Sequence, residues 1–172
     1  MNLKIYIACG LTHVPRDYFD AYVKTIHTLA SHLEKFQVKY ALLHSDPQLK
    51  EIPSNEKAKY CYLWDRKMVE ESDVIIAEAS FPSIGLGIEL QIAEAKNIPI
   101  ILIYNENQSY KAMPIAYTNP DKKEYNLQIG EGYVSLMAIG LPNILKIIPY
   151  VDFENCIKNI LVELKKVDNS SN

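Results

Sequence analysis

The sequence predicts an α/β domain of three layers, in which a five-stranded parallel sheet lies between two layers of helices. Apolar runs of strand length alternate with amphipathic runs of helix length, and this alternation is typical of parallel strand–helix–strand units. Five apolar runs are rich in the β-branched and aromatic residues that strands favour. They are residues 3–9, 38–43, 73–79, 98–104 and 144–150, of which the third and fourth are almost wholly apolar and are expected near the centre of the sheet.

The stretches between these runs predict the helices. Between the first two strands, apolar residues recur at steps of three and four over residues 19–33, which places them on one face of a helix. Further helices are predicted from near Ser54, over residues 87–97, and after an N-cap at Asp152.

The segment 105–132 does not follow this rhythm, because it shows no clear periodicity. We expect a long irregular connection there, which is either functional, as a lid or an oligomer contact, or a surface insertion. With this segment included, residues 1–167 are predicted to form a single domain, followed by a polar, disordered tail over 168–172.

Charge and composition exclude several classes of function. The 172 residues include 18 Lys and Arg against 21 Asp and Glu, a net charge of −3, and no basic cluster of the kind that nucleic-acid binding needs. The three cysteines stand far apart without a C-x-x-C motif, which argues against a zinc site or a disulfide framework and for the reducing cytosol. The apolar run at the N-terminus is too short for a signal sequence or a membrane span. We therefore expect a cytoplasmic protein without a nucleic-acid or membrane partner.

The loops that follow the strands should converge, because ligands of open parallel sheets bind beyond the carboxyl ends of the strands. These loops supply Gly10, Thr12 and His13 after the first strand, His44 after the second, and residues 80–87 after the third. The sequence therefore predicts a ligand site at this edge of the sheet.

Residues 80–87 form a glycine-containing turn that opens a helix, and the free N–H groups and dipole of such a helix end attract an anion such as phosphate. The turn matches neither of two known nucleotide-binding loops. No G-K-[ST] follows the second glycine, and Leu90 stands where the dinucleotide fingerprint needs a third Gly or Ala. Ser83 is open to two interpretations at this point, a helix N-cap or a ligand contact.

Two carboxylates are the candidates for chemistry near this turn. Glu89 is expected in the first turn of its helix, where an acidic residue can also simply complement the helix dipole. Asp65 stands four residues after Cys61 in the apolar stripe of the preceding helix, so it either has a task there or pairs with Arg66 or a nearby lysine. Two carboxylates beside an anion-binding turn predict glycosidic chemistry, with one as nucleophile and the other handling protons. No set of metal ligands is evident, and we expect no metal ion.

Three segments of the chain carry a family resemblance. They are Tyr60–Asp65 (YCYLWD), Asp73–Ser80 (DVIIAEAS) and Pro82–Leu90 (PSIGLGIEL), and the Y-I-A-C-G of Tyr6–Gly10 agrees with them. In these motifs the chain resembles the nucleoside 2-deoxyribosyltransferase superfamily, and within it the 2′-deoxynucleoside 5′-monophosphate N-glycosidase branch. The resemblance spans residues 3 to about 104. It implies a flavodoxin-like strand order, 2-1-3-4-5, no cofactor, a small nucleoside or nucleotide substrate, and a homodimer or larger homo-oligomer.

The same resemblance assigns the catalytic roles. Glu89 would be the nucleophile that attacks C1′ of the sugar, and Asp65 would protonate or orient the departing base and assist the incoming water. Tyr6 would lie beside Glu89 and the sugar, although a tyrosine in a strand is also a common core residue.

Substrate-binding roles follow in the same way. Ser83 would bind the 5′-phosphate together with backbone amides of the glycine turn, and His44 would lie close to the nucleobase, unless it is a solvated loop residue. The residues expected to contact the substrate are Gly10, Thr12, His13, His44, Ser83, Gly85, Gly87, Asn126 and Ser135.

Some positions depart from the family pattern. Leu11, followed by Thr12, stands where a phosphate-contacting serine is expected, and His13 stands where an arginine would be. Ser135 resembles a serine that a neighbouring subunit lends to the site, provided that segment 105–132 is an insertion. Asn126 is a candidate for the asparagine that the transferase branch borrows.

Three functions are consistent with these residues. The first is hydrolysis of the N-glycosidic bond of a (deoxy)nucleoside 5′-monophosphate through a covalent glycosyl intermediate on Glu89. The second is a nucleoside 2-deoxyribosyltransferase that exchanges bases between free deoxynucleosides. The third, less favoured because a sensor needs no pair of carboxylates, is a non-catalytic nucleotide-binding domain.

Overall fold

Five strands form one parallel sheet, in the order β2-β1-β3-β4-β7. The computed structural model describes residues 3–170. Its strands are β1 (Lys4–Cys9), β2 (Gln37–Tyr40), β3 (Val74–Glu78), β4 (Ile100–Asn105), β5 (Ala116–Thr118), β6 (Glu124–Asn126) and β7 (Ile144–Tyr150). Because β7 is the fifth strand of the sheet, the predicted order and the predicted α/β class are confirmed.

Helices cover both faces of this sheet, as expected of parallel strands. The helices are α1 (Arg16–His32), α2 (Ala41–His44), α3 (Lys57–Glu70), α4 (Ile84–Ala95), α5 (Leu136–Ile139) and α6 (Phe153–Ser170), with short 3₁₀ turns at Gln48–Glu51 and Gln108–Tyr110. One apolar core joins α1 and α6 to the sheet through Ile5 and Ile7, and the other joins α3 and α4 through Tyr6 and Ala8. The alternation of side chains along β1 therefore directs Tyr6 toward the α3 and α4 layer.

The second strand is shorter than predicted. It ends at Tyr40, and Ala41–His44 turn into α2 instead of extending the strand to residue 43. Ala and Leu are strong helix formers, and the N–H groups of Ser45 and Asp46 both bond to the Ala41 carbonyl, which closes the turn.

Helix boundaries differ from the predicted ones in three places. Helix α3 begins at Lys57, later than Ser54, and α4 begins at Ile84, earlier than Gly87, because Ser83 caps it. Helix α6 continues to Ser170, so the expected disorder from residue 168 is wrong for residues 168–170, while 171 and 172 lie outside the described residues.

Segment 105–132 is not an irregular connection. It contains a 3₁₀ turn and an antiparallel hairpin in which β5 pairs with β6. The rings of Tyr117 and Tyr125 stack across the hairpin with centroids 5.8 Å apart, and Lys122 takes a left-handed φ of 62° at its tip. No helix within residues 3–170 has the length and apolar character needed to cross a membrane.

Candidate active site

Glu89 is a buried carboxyl with one oxygen held by a hydrogen bond and the other without a partner among residues 3–170. It lies in the second turn of α4, not the first as predicted, so complementing the helix dipole is no longer a sufficient explanation for it. The residue is only 8% exposed. The Tyr6 hydroxyl donates a 2.6 Å hydrogen bond to Glu89 Oε1, while Oε2 is buried and makes no hydrogen bond within the described part of the chain.

The surroundings of Glu89 favour its neutral form. Burial raises the pKa of Glu89 from 4.5 to about 8, the hydrogen bond from Tyr6 opposes this shift, and the negative charge of Asp65 adds to it. Burial and the charge of Glu89 also raise the pKa of Tyr6 well above its ordinary value, so its hydroxyl remains a donor at neutral pH.

Asp65 is anchored by neutral donors. The Ser45 hydroxyl donates to Asp65 Oδ1 at 2.7 Å, and the Cys61 thiol donates to Oδ2 at 3.4 Å. Arg66 instead pairs with Glu70, at 2.9 Å between Nη2 and Oε1, so the alternative that Asp65 serves an ion pair with Arg66 is wrong. The charge of Asp65 acts on both Glu89 and Tyr6, which brings the three predicted catalytic side chains into one electrostatic site.

The N-terminus of α4 forms the expected turn beside this site. Ser83 Oγ accepts the Leu86 N–H at 3.2 Å and caps the helix, so the N-cap interpretation of Ser83 holds. Gly10 lies against this cap: a Cβ at Gly10 would stand 2.5 Å from Ser83 Cβ, too close for any residue but glycine. A Cβ on Gly87 would meet nothing within 4 Å, so that part of the first turn is open.

A cavity of about 1050 Å³ adjoins the turn, between α4 and residues 110–141. It brings together four predicted binding residues: His13, Ser83, Gly87 and Ser135. Ser135 therefore lines the cavity from the same chain as Ser83. Neither Glu89 nor Asp65 lines the cavity, because residues turn by about 100° along a helix and Gly87 lies on a different face of α4 from Glu89. The acidic pair and the cavity thus lie on two sides of the same helix end.

Other predicted binding residues do not line this cavity. Thr12 is exposed in the loop after β1, and Asn126 is exposed in β6, whereas Gln128 is the nearby polar residue that lines the cavity. His44 is exposed at the end of α2, where its Nδ1 accepts the Tyr40 N–H at 3.2 Å. Their contacts with substrate stay predictions.

Three residues that shape the site were assigned no role from the sequence. Ser45 and Cys61 hold Asp65, and Glu78 is fully buried at the end of β3. Glu78 accepts hydrogen bonds from the hydroxyls of Ser80 and Tyr150, the latter at 3.0 Å, and burial raises its pKa. An acidic residue that closes an almost wholly apolar strand was the available signal for Glu78.

Together the fold and the site define a class of protein: a doubly wound α/β domain with an acidic pair and a serine-capped helix N-terminus at the carboxyl edge of its sheet. Within residues 3–170, no cluster of three His, Cys, Asp or Glu side chains could hold a metal ion. A family model described as nucleoside 2-deoxyribosyltransferase matches residues 5–159. The chain belongs to this family, and the predicted family is confirmed.

Curated relatives match part of the chain. One from Syntrophotalea carbinolica, named "Putative 2'-deoxynucleoside 5'-phosphate N-hydrolase 1", is 39% identical over 34% of this chain and 42% of its own length. A protein of the same name from Methanosarcina barkeri is 32% identical over 45% of this chain and 47% of its own length. The chain thus spans less than half the length of these curated relatives.

Solved structures share the fold over most of the chain. The solution structure of BlsM is 20% identical, with a TM-score of 0.64 and coverage of 99% of this chain and 96% of that chain. The Clostridium botulinum CMP N-glycosidase BcmB is 18% identical, with a TM-score of 0.54 and coverage of 92% and 98%. At these identities the similarity establishes the fold alone.

Proposed function

We propose that this protein hydrolyses the N-glycosidic bond of a (deoxy)nucleoside 5′-monophosphate, releasing the free base and a sugar phosphate. The observation that carries the proposal is the Glu89 carboxyl, which is buried near the charge of Asp65. Its Oε1 is held by Tyr6, and its Oε2 has no hydrogen-bond partner in the described part of the chain. The names of the two curated relatives favour a 5′-phosphorylated substrate.

The acidic pair carries one proton, which lies on Glu89 in the free protein and moves to Asp65 before the reaction. In the first step, the Glu89 carboxylate attacks C1′ through Oε2 while the bond from C1′ to the base nitrogen breaks, and the electron pair of that bond leaves with the base. Asp65 passes a proton to the departing base, and a glycosyl ester on Glu89 remains. In the second step, water attacks C1′, Asp65 takes its proton back, and Glu89 leaves as a carboxylate. Two displacements give net retention at C1′.

The phosphate would bind at the first turn of α4. Ser83 Oγ accepts the Leu86 N–H, which leaves its own hydrogen free to donate, and the open backbone at Gly87 adds to the positive end of the helix dipole. His13 and Lys111 line the adjacent cavity, where the Lys111 ammonium adds positive charge and the His13 ring can donate a hydrogen bond. Binding energy at the phosphate would hold C1′ against Glu89, because binding remote from the reacting bond positions the reacting atoms.

The second candidate is base exchange between free deoxynucleosides. It is favoured by the description of the family model. It is also favoured by Leu11 and His13, because these side chains would bind a phosphate more weakly than the serine and arginine expected at their positions. In this reaction a second base, not water, would attack C1′ of the same intermediate.

One incubation tests these alternatives. The protein is given a deoxynucleoside or its monophosphate, with and without an acceptor base, and base release is followed by chromatography. Release from the monophosphate without acceptor supports hydrolysis, and exchange that needs acceptor supports the transferase. Glu89→Gln should abolish either activity, whereas Glu94→Gln, a half-buried glutamate on the same helix, should leave it intact. Nucleotide binding without turnover would favour the non-catalytic domain.

We also propose that the protein acts as a homo-oligomer in the cytoplasm. Ile84 and Met137 line the cavity and are 81% and 84% exposed, which is unusual for large apolar side chains at a site and fits coverage by a second copy. All three cysteines are free thiols, consistent with a reducing compartment. Analytical ultracentrifugation of the protein and of Met137→Asp tests the assembly, since a monomer in both would contradict it.

A further inference from the structure

Asp65 owes its orientation to two neutral side chains from different elements. The structure assigns Ser45, with Cys61 in support, as the positioning residue that aims the Asp65 carboxyl at the reacting bond. This inference rests on the proposed function, since it concerns how the acid–base residue of that reaction is held.

Ser45 is fixed before it contacts Asp65. It follows α2 and has no exposed surface, its N–H donates to the Ala41 carbonyl at 3.1 Å, and its own carbonyl accepts from Gln48 and Leu49, each at 3.1 Å. Its hydroxyl has a single hydrogen and two acceptors in range, the Ala41 carbonyl at 3.4 Å and Asp65 Oδ1 at 2.7 Å. Because the contact with Asp65 is the shorter of the two, the hydroxyl donates its hydrogen to Asp65.

Cys61 holds the other oxygen from within α3. It stands one turn before Asp65, and its thiol lies 3.4 Å from Oδ2. Burial, together with the charge of Asp65, raises the pKa of Cys61 to about 11, so the thiol keeps its hydrogen near neutral pH. A thiol is a weak donor, and the hydroxyl of Ser45 is the stronger of the two contacts.

The choice of neutral donors matters for the chemistry. Among residues 3–170 no lysine or arginine forms an ion pair with Asp65, so its negative charge still acts on Glu89 and Tyr6. A cation in place of Ser45 would fix the same orientation but neutralise that charge. A hydroxyl can also turn to accept a hydrogen when Asp65 is protonated, and so can hold it through both halves of the reaction.

The test compares Ser45→Ala, Ser45→Thr and Cys61→Ala on the nucleoside monophosphate. We expect Ser45→Ala to lower kcat about ten- to a hundredfold with KM nearly unchanged, because the phosphate turn is untouched. Ser45→Thr should restore most of the loss, and Cys61→Ala should cost less than Ser45→Ala. Ser72→Ala, which removes a 2.7 Å hydroxyl bond to the Val69 carbonyl at the other end of α3, is the matched control and should leave kcat unchanged.

A double-mutant cycle separates positioning from folding. If Ser45 acts through Asp65, then Ser45→Ala should lower the residual activity of Asp65→Asn by less than twofold. Full additivity of the two losses, or an unchanged kcat in Ser45→Ala, would overturn the inference while leaving the proposed function in place. Absence of base release by the wild-type protein would instead overturn the proposed function, and the inference with it.

Discussion

Replacing Glu89 by glutamine should stabilise the protein at alkaline pH while destroying its activity. The folded state keeps Glu89 neutral up to a pKa of about 8, whereas the ordinary value is 4.5. Between these two pH values the folded protein holds a proton that the unfolded chain has released, so the free energy of unfolding falls as pH rises. The contribution of Glu89 to stability is fully present below pH 4.5 and is lost as pH rises through 8. Glutamine carries no charge at any of these pH values, so the variant escapes this loss.

The size of the effect follows from the same two values. At about 1.4 kcal/mol for each pH unit between them, ionising Glu89 costs the folded state up to about 5 kcal/mol at pH 8 and above. In the variant, an amide NH₂ takes the place of Oε2, which has no hydrogen bond within residues 3–170. Burying this donor without a partner costs about 1 to 3 kcal/mol at every pH. Glu89→Gln should thus be slightly less stable than wild type near pH 5 and more stable, by roughly 2 to 4 kcal/mol, near pH 8.5.

Thermal unfolding followed by circular dichroism from pH 5 to pH 9 measures this difference. For a chain of this length, each kcal/mol corresponds to about 2 to 4 °C in Tm. The Tm of the variant relative to that of wild type should therefore rise by several degrees between pH 5 and pH 8.5. Glu94→Gln serves as the control for lost charge on the same helix. A Tm difference between Glu89→Gln and wild type that does not change with pH would refute the reasoning.

Two further variants probe the neighbours of Glu89 and of Ser83. Tyr6→Phe removes the 2.6 Å hydrogen bond that favours the ionised form of Glu89. We expect kcat/KM at pH 7 to fall at least about tenfold and the acidic limb of the pH–rate profile to move to higher pH, and an unmoved limb would contradict this. Gly10→Ala places a Cβ 2.5 Å from Ser83 Cβ, which displaces the helix cap. In steady-state kinetics, KM for the monophosphate should rise about tenfold, and in a denaturant titration the free energy of unfolding should fall by about 1 to 3 kcal/mol.

Features with a local cause could be predicted from the sequence. The five strands of the sheet follow from apolar runs and strand composition, because burial on both faces of a parallel sheet selects such residues. The helical step from Cys61 to Asp65 likewise placed this carboxylate on the inner side of α3, where the structure has it half-buried.

Features that depend on distant contacts could not be predicted. The Ser45 hydroxyl meets Asp65 across 20 residues of chain, and nothing near Ser45 signals that contact. Gly10 needs to be glycine only because Ser83, 73 positions later, packs against it. The start of α4 was misplaced because two glycines obscure the helix that Ser83 caps, and the β5–β6 hairpin was missed because each of its strands has only three residues.

The buried carboxyl of Glu78 bears on the rigidity of the loop that precedes α4. Ser80 donates to Glu78 while its oxygen accepts the Asn105 N–H at 2.8 Å, and the Tyr150 hydroxyl reaches the same carboxyl at 3.0 Å. These hydrogen bonds hold the segment that leads to Ser83 against the ends of β3, β4 and β7. A loop held in this way has lost its conformational freedom during folding, so the phosphate that we propose to bind there would lose little affinity to ordering the loop.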